Sequence, residues 1–257
     1  MENFESSKIN PLEQGAGASR VFEGEMGLPV IEKIYGESAE FFAGEIKRLL
    51  PPRLEAYTMS VLDVGSHRGE FLKDLLTEFG DDYKFDVTAI DANETALKDN
   101  LAAKMKVVGN VAQLPFQDNA FDITVMRYVL PWNKKEDQKE ILSEVNRVSN
   151  KYAIVQHSGA PRENSSEWQS EFHKLFLGHA PKLQRETAYF SSPTEIETWM
   201  DEKGINYQTI QDRVVPDISE LFIAKYELSP EDAARVNEIL ADKDFVEQVA
   251  WVFEKKK

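Results

Sequence analysis

Two acids and two glycines carry the first chemical signal in this sequence. Asp63 ends a short apolar run, Val61-Leu62, and Gly65 and Gly69 follow it within Val-Leu-Asp-Val-Gly-Ser-His-Arg-Gly-Glu-Phe. Phe71, Leu72, Leu75, Leu76 and Phe79 then recur at helical spacing. A strand, a glycine turn and a helix start together bring bare backbone close to a ligand at a helix N-terminus. The acid separates this turn from a phosphate cradle: a carboxylate repels a pyrophosphate but suits a hydroxyl, an ammonium or a sulfonium. A second acid, Asp91, closes the β-branched run Phe85 to Ile90 and is followed by Ala92. An acid at the end of a second strand accepts hydrogen bonds from ribose hydroxyls in dinucleotide-binding folds. The plain alternative is an ordinary strand-to-helix turn with a solvated loop aspartate.

These residues need a sheet to present them, and the pattern supplies one. Helical spacing begins near Pro29, passes through Ile31, Ile34, Tyr35, Phe41, Phe42, Ile46, Leu49 and Leu50, and stops at Pro51-Pro52, with Gly36 a possible break between one helix and two. Gly80 is placed to end the helix after the turn, and Asn93 to cap the next one. Val107-Val108 reads as a third strand, Phe121 to Met126 as a fourth and Tyr152 to Gln156 as a fifth, with a helix from about Lys135 to Val148 between the last two. This order predicts an α/β fold with a doubly wound, mainly parallel sheet.

Residues 160–204 break the alternation and are rich in aromatics, so a helical insertion over the sheet's carboxyl edge is expected. Ser192-Pro193-Thr194-Glu195 is a helix start and Gly204 a stop. Ile205 to Val215 and Leu221 to Tyr226 read as an antiparallel strand pair closing the sheet. Ser229-Pro230-Glu231-Asp232 then opens a helical segment carrying Ile239, Leu240, Phe245, Val249 and Phe253. The expected organisation is a single domain over 1–257, with a flexible tail at 1–20 and a helical cap at 21–57.

Length and composition are consistent with this. The chain has 257 residues, 42% of them apolar, enough for a sizeable core. No apolar run approaches the ~20 residues that span a bilayer. There is no cysteine, which excludes disulfides and thiolate metal sites, and the acidic N-terminus lacks the apolar core of a signal peptide, so a cytoplasmic location is expected. The formal charge of -15 disfavours nucleic acid and membrane surfaces as partners. Oligomeric state is not encoded legibly.

The stretch at 63–69 resembles the first motif of class I S-adenosylmethionine-dependent methyltransferases, in which an acid is followed by alternate glycines. Here it reads Asp63, Gly65, His67, Gly69, with a histidine in place of the middle glycine. The run Gly109-Asn110-Val111-Ala112-Gln113-Leu114-Pro115-Phe116, followed by Asp118-Asn119-Ala120-Phe121-Asp122, resembles later motifs of the same family, in its small-molecule, type 11-like branch. The resemblance covers roughly 58–157 and implies a seven-stranded Rossmann-like methyltransferase sheet, with the insertion shaping an acceptor pocket and the N-terminal segment covering the cofactor. It implies S-adenosylmethionine held by Asp63, Gly65, His67, Gly69, Asp91, Ala92, Asn110, Val111 and Arg127. Asn110 stands where an acid often meets the adenine amino group, and its amide retains the needed acceptor.

Arg127 and Tyr128 end the fourth strand at the expected ligand edge. Tyr128, His157 and, from the N-terminal helix, Tyr35 are candidates to line the acceptor site, and His157, after the fifth strand, is the candidate general base. Methyl transfer from a sulfonium needs alignment and exclusion of water; a base matters only where the acceptor must lose a proton. His157, His173 and His179 match no metal-ligand spacing, so no metal is expected. A nicotinamide-dependent oxidoreductase is the competing enzyme class, but the turn lacks Gly-x-Gly-x-x-Gly. A fold retained for binding, or for other chemistry on the same cofactor, stays open.

Overall fold

Strand β1 (Thr58–Val64) is the middle of the molecule, flanked in parallel by β2 (Lys84–Asp91) on one side and β4 (Phe121–Arg127) on the other. The computed structural model describes residues 29–50, 58–80, 83–160, 187–214, 229–234 and 247–255, together with positions 162, 166 and 170. β3 (Met105–Val108) pairs outside β2, β5 (Ser149–Gly159) outside β4, and β6 (Tyr207–Val214) and β7 (Glu247–Glu254) complete a seven-stranded sheet in the order β3-β2-β1-β4-β5-β7-β6. β7 runs antiparallel to both of its neighbours; every other pair is parallel. The winding reverses between β1 and β4, which opens a crevice at their carboxyl ends.

The helices cover both faces because the strands between them are apolar on both. On one side Met59, Val61, Val87, Ala89, Ile123, Val125, Ile154 and Val252 meet α1 (Pro29–Leu49) and α2 (Glu70–Phe79). α1 buries Ala39, Phe42, Ala43 and Ile46, a stripe at helical spacing, and the Phe42 ring meets Phe71 of α2 edge-on at 5.1 Å. It continues through Gly36, so among the described residues one helix precedes β1. α3 (Glu94–Asp99) is capped as expected, the Asn93 side chain accepting from Thr95 and Ala96 N–H. On the opposite side Leu62, Val64, Met126, Val155, Trp251 and Phe253 meet Ile141, Leu142 and Val145 of α4 (Lys135–Val148) and Ile196 and Met200 of α5 (Pro193–Glu202). α5 starts on a full capping box between Ser192 and Glu195.

One expectation is overturned. The apolar residues Val249 and Phe253 lie on a strand, β7, where the sequence reads as helix. Val249, Trp251 and Phe253 face the α4–α5 side, while Val252 joins the cluster on the other. A strand buried on both faces gives an unbroken apolar run, which period alone does not separate from a helix. The predicted strand at 221–226, the tail at 1–20, the stop at Pro51-Pro52 and most of the insertion between 160 and 186 lie outside the described residues.

Candidate active site

The crevice at the sheet's switch point is built from three strand ends. Asp63 is the penultimate residue of β1, Asp91 closes β2 and Arg127 closes β4. By strand alternation they share the pleat side of Val61, Ala89 and Val125, which faces α1 and α2. Arg127 confirms the direction: its guanidinium lies 5.1 Å from the Phe71 ring centre of α2 and 4.6 Å from that of Tyr128.

The turn after β1 is held by its neighbours. Gly65 and Ser66 N–H both donate to the carbonyl of Ile90 on β2, at 2.8 and 3.1 Å. His67 N–H donates to Oδ2 of Asp91 at 2.9 Å, and Gly69 N–H to the Ser66 carbonyl at 2.9 Å. The path is left-handed at Gly65 (φ 72), His67 (φ 49) and Gly69 (φ 80). Both glycines are required by packing as well: a Cβ at 65 would stand 2.4 Å from Val129 Cγ2, and one at 69 would stand 2.3 Å from Asn100 Oδ1. His67 therefore occupies the place of the middle glycine by accepting a strained backbone, which the bond to Asp91 helps to hold. Tyr128, across the crevice, is left-handed too (φ 54), its N–H donating to the Gln156 carbonyl at 2.9 Å.

The two acids differ in their surroundings. Asp63 is 3% exposed, and its Oδ2 accepts from the Ser66 hydroxyl at 2.5 Å. Burial raises its carboxyl from 3.8 to about 6, against the Ser66 bond and the charge of Arg127, with Asp91 adding to the rise. Asp91 accepts from Asn93 N–H at 2.8 Å, from His67 N–H and from Ala92 N–H; burial still raises it, these bonds and the His67 imidazole opposing. An ionised carboxylate has about four acceptor positions, so Asp91, with three taken, retains one for a hydroxyl beside the turn.

Beyond β3, Gly109 N–H donates to the Asp91 carbonyl at 3.1 Å, which brings Asn110 and Val111 to the same edge. Asn110 Oδ1 accepts from Ala112 N–H at 2.9 Å, so one of its two lone pairs is already used. The loop behind it is clamped by Arg147, whose guanidinium donates to the carbonyls of Leu114 and Phe116 and to Glu144 and Asp118. Asp122 is structural: it accepts from Ser60 N–H and hydroxyl and pairs with Lys151 at 2.9 Å.

His157 is not part of this constellation. It shares the pleat side of Val155, faces Trp251, and is 0% exposed. Its Nε2 bonds the Ser191 carbonyl at 2.8 Å, a contact only a protonated Nε2 can make, and burial lowers its pKa from 6.5 to about 4. A buried, neutral imidazole on the far face of the sheet from Asp63 is placed to anchor the 187–192 segment. Tyr35 lies on α1, with its side chain outside the described residues. Among the described residues no group of histidines and acids could hold a metal ion.

Three contributors escaped the sequence reading. Ser66 and Asn100 tie Asp63 into the turn, and only a small polar residue between glycine and histidine hinted at the first. Gln156 is level with Arg127 on the neighbouring strand; its Nε2 donates to Gln211 at 2.8 Å, while its buried Oε1 has no hydrogen-bond partner among the described residues.

Residues 62–155 match the family described as a methyltransferase domain. Searching curated proteins finds no match. Among solved structures, the YcgJ protein from Bacillus subtilis superposes with a TM-score of 0.62 at 16% identity, over 84% of this chain and 98% of that one. Geranyl diphosphate C-methyltransferase from Streptomyces coelicolor, solved with S-adenosyl-L-homocysteine, gives 0.59 at 14% identity, over 86% and 79%. The [4+2]-cyclase SpnF gives 0.53 at 12% identity, over 84% and 80%. Such low identities carry the fold, a Rossmann-like methyltransferase sheet, and leave the reaction to the residues.

Proposed function

We propose that this chain, which has the class I S-adenosylmethionine-dependent methyltransferase fold and that family's domain over 62–155, transfers a methyl group from S-adenosylmethionine to a small-molecule acceptor. The observation that carries the reading is that Asp63 and Asp91 lie near the carboxyl ends of adjacent strands, joined by the turn whose His67 N–H is bound to Asp91. The donor set fits the cofactor. Asp91 offers its remaining acceptor position to a ribose hydroxyl, Asp63 an acceptor to an ammonium, and Arg127 a cation to a carboxylate. Asn110 keeps one lone pair for an adenine amino group, beside the apolar Val111. Gly65 and Gly69 keep the turn tight enough for backbone to line the crevice.

When bound, the cofactor supplies an electrophilic methyl group on sulfonium. The chain's part is then to align the acceptor in line with that methyl and to exclude water. Tyr128 and Gln156, beside Arg127 at the same edge, are the proposed acceptor-side groups, and the insertion after β5 is the proposed cover. His157 has no role in proton transfer in this scheme, so acceptors that need no buried base fit best. The strong negative charge argues against nucleic acid as substrate, and a cytoplasmic, membrane-free setting is part of the proposal; among the described residues no helix is long and apolar enough to cross a membrane.

A second reading, other chemistry on the same bound cofactor, draws on the likeness to a cyclase of this fold. Calorimetry with S-adenosylhomocysteine and with NAD, followed by radiolabelled methyl transfer across a panel of small amines, carboxylates and phenols, tests both. Binding of S-adenosylhomocysteine alone and transfer to one class support the first. Binding without transfer to any compound favours the second, and preference for NAD overturns both.

A further inference from the structure

We propose that Asn100 and Ser66 are positioning residues for the cofactor-side acid: the Asn100 amide fixes the Ser66 hydroxyl so that it donates only to Asp63, keeping that carboxylate oriented, ionised and open on its second oxygen. This rests on the cofactor reading above.

The direction of every bond in this chain follows from stoichiometry. Asn100 is 0% exposed, in the loop after α3. Its Oδ1 accepts from Ala102 and Ala103 N–H, both at 3.1 Å, which settles which amide atom is oxygen. Nδ2 is therefore the atom that meets Ser66 Oγ at 2.8 Å, and it must donate. A hydroxyl has one hydrogen, and with its oxygen accepting from Asn100 that hydrogen goes to Asp63 Oδ2, at 2.5 Å. The same Asn100 side chain fills the space that a Cβ at Gly69 would need. One buried amide thus acts on both ends of the turn at 65–69 without lying among the strand-end groups.

The groups that face Asp63 give this bond its consequence. Asp91 from β2 disfavours its charge, Arg127 from β4 favours it, and His67 stands beside Asp91. Burial is the largest influence and favours the neutral acid; the Ser66 hydroxyl is the strongest opposing one. Removing the hydroxyl leaves burial less opposed, so Asp63 takes up its proton at higher pH and the grip on a cationic ligand is lost nearer neutrality.

The test follows the Asp63 carboxyl carbon by NMR in the ligand-free protein, its resonance identified by loss in Asp63→Asn, alongside calorimetry with S-adenosylhomocysteine. Ser66→Ala adds no charge and should raise the Asp63 midpoint by about one pH unit, since a hydrogen bond to a charged group is worth that order. S-adenosylhomocysteine affinity should fall about fivefold at pH 6 and much less at pH 8.5. Asn100→Asp keeps the acceptor for Ala102 and Ala103 but loses the donor, and should also raise the midpoint. Its effect should be smaller on a Ser66→Ala background, which isolates its own added charge. An unmoved midpoint in folded Ser66→Ala overturns the proposal, and full additivity of the two changes removes Asn100 from it. Should the midpoints shift while the wild-type protein ignores S-adenosylhomocysteine, the cofactor reading fails and the positioning of Asp63 stands. If Asn100→Asp does not fold, Ser66→Ala alone decides.

Discussion

The backbone N–H of His67 lies 2.9 Å from Oδ2 of Asp91, which fastens the turn after β1 to the end of β2. The acid proposed to grip the ribose is thus also the acid that holds a left-handed residue in place.

Asp91→Ala should therefore lose more than one contact. Removing the carboxylate frees the His67 and Asn93 N–H groups together with any ligand hydroxyl. S-adenosylhomocysteine affinity should drop by about ten- to a hundredfold, the worth of one or two charge-assisted hydrogen bonds. Far-UV circular dichroism should be unchanged, and calorimetry reads the affinity. Wild-type affinity in a folded variant would remove Asp91 from the site.

Asp63 predicts a conflict between stability and binding. Its folded pKa, about 6, lies above its ordinary 3.8, so the native state takes up this proton first as pH falls. The penalty for holding it ionised is complete above pH 6 and is relieved between about 6 and 3.8. Asp63→Asn should stabilise the ligand-free protein at pH 8 by about 1–3 kcal/mol and by about half as much at pH 5, while weakening S-adenosylhomocysteine binding. Thermal unfolding at the two pH values checks the sign, and equal effects at both would contradict it.

His157 works in the opposite sense. Its folded pKa, about 4, is below its ordinary 6.5, so the unfolded chain protonates first and stability is lost as pH falls from 6.5 towards 4. His157→Gln, which keeps a donor for the Ser191 carbonyl, should flatten that loss and leave turnover within about threefold of wild type. A collapse of kcat with cofactor affinity intact would restore this histidine as a base.

Two glycines should respond with opposite signs. Gly69→Ala places a Cβ 2.3 Å from Asn100 Oδ1 at φ 80 and should destabilise by at least about 1–3 kcal/mol, with loss of S-adenosylhomocysteine binding. Gly36 lies within α1 with nothing within 4 Å of a built Cβ, so Gly36→Ala should stabilise by about 0.5–1 kcal/mol. Denaturant melts of both variants give the comparison.

The site was legible where chemistry and local pattern coincide. Asp63, Gly65, Gly69 and Asp91 sit at strand ends marked by an apolar run, an acid and a turn. α4 was readable end to end because Ile141, Leu142, Val145 and Val148 keep helical spacing and its other positions are polar. β7 was not, because its residues are covered on both faces and leave no alternation. Asn100 was invisible for a different reason: its partners, Ser66 and Gly69, are near it only after α2 and β2 have folded between them. His157, near the carboxyl end of β5, has its level in the sheet set by sequence but not its face, which is the one of Val155 and Trp251.

Strand β7 lies between β5 and β6, although residues 247–254 are made after both. Among the described strands, then, β6 has no neighbour to join while it emerges on the ribosome, and β5 keeps one edge unpaired until β7 is made. Every pairing among β1 to β5, the strands that carry Asp63, Asp91 and Arg127, can therefore form before the last two strands join.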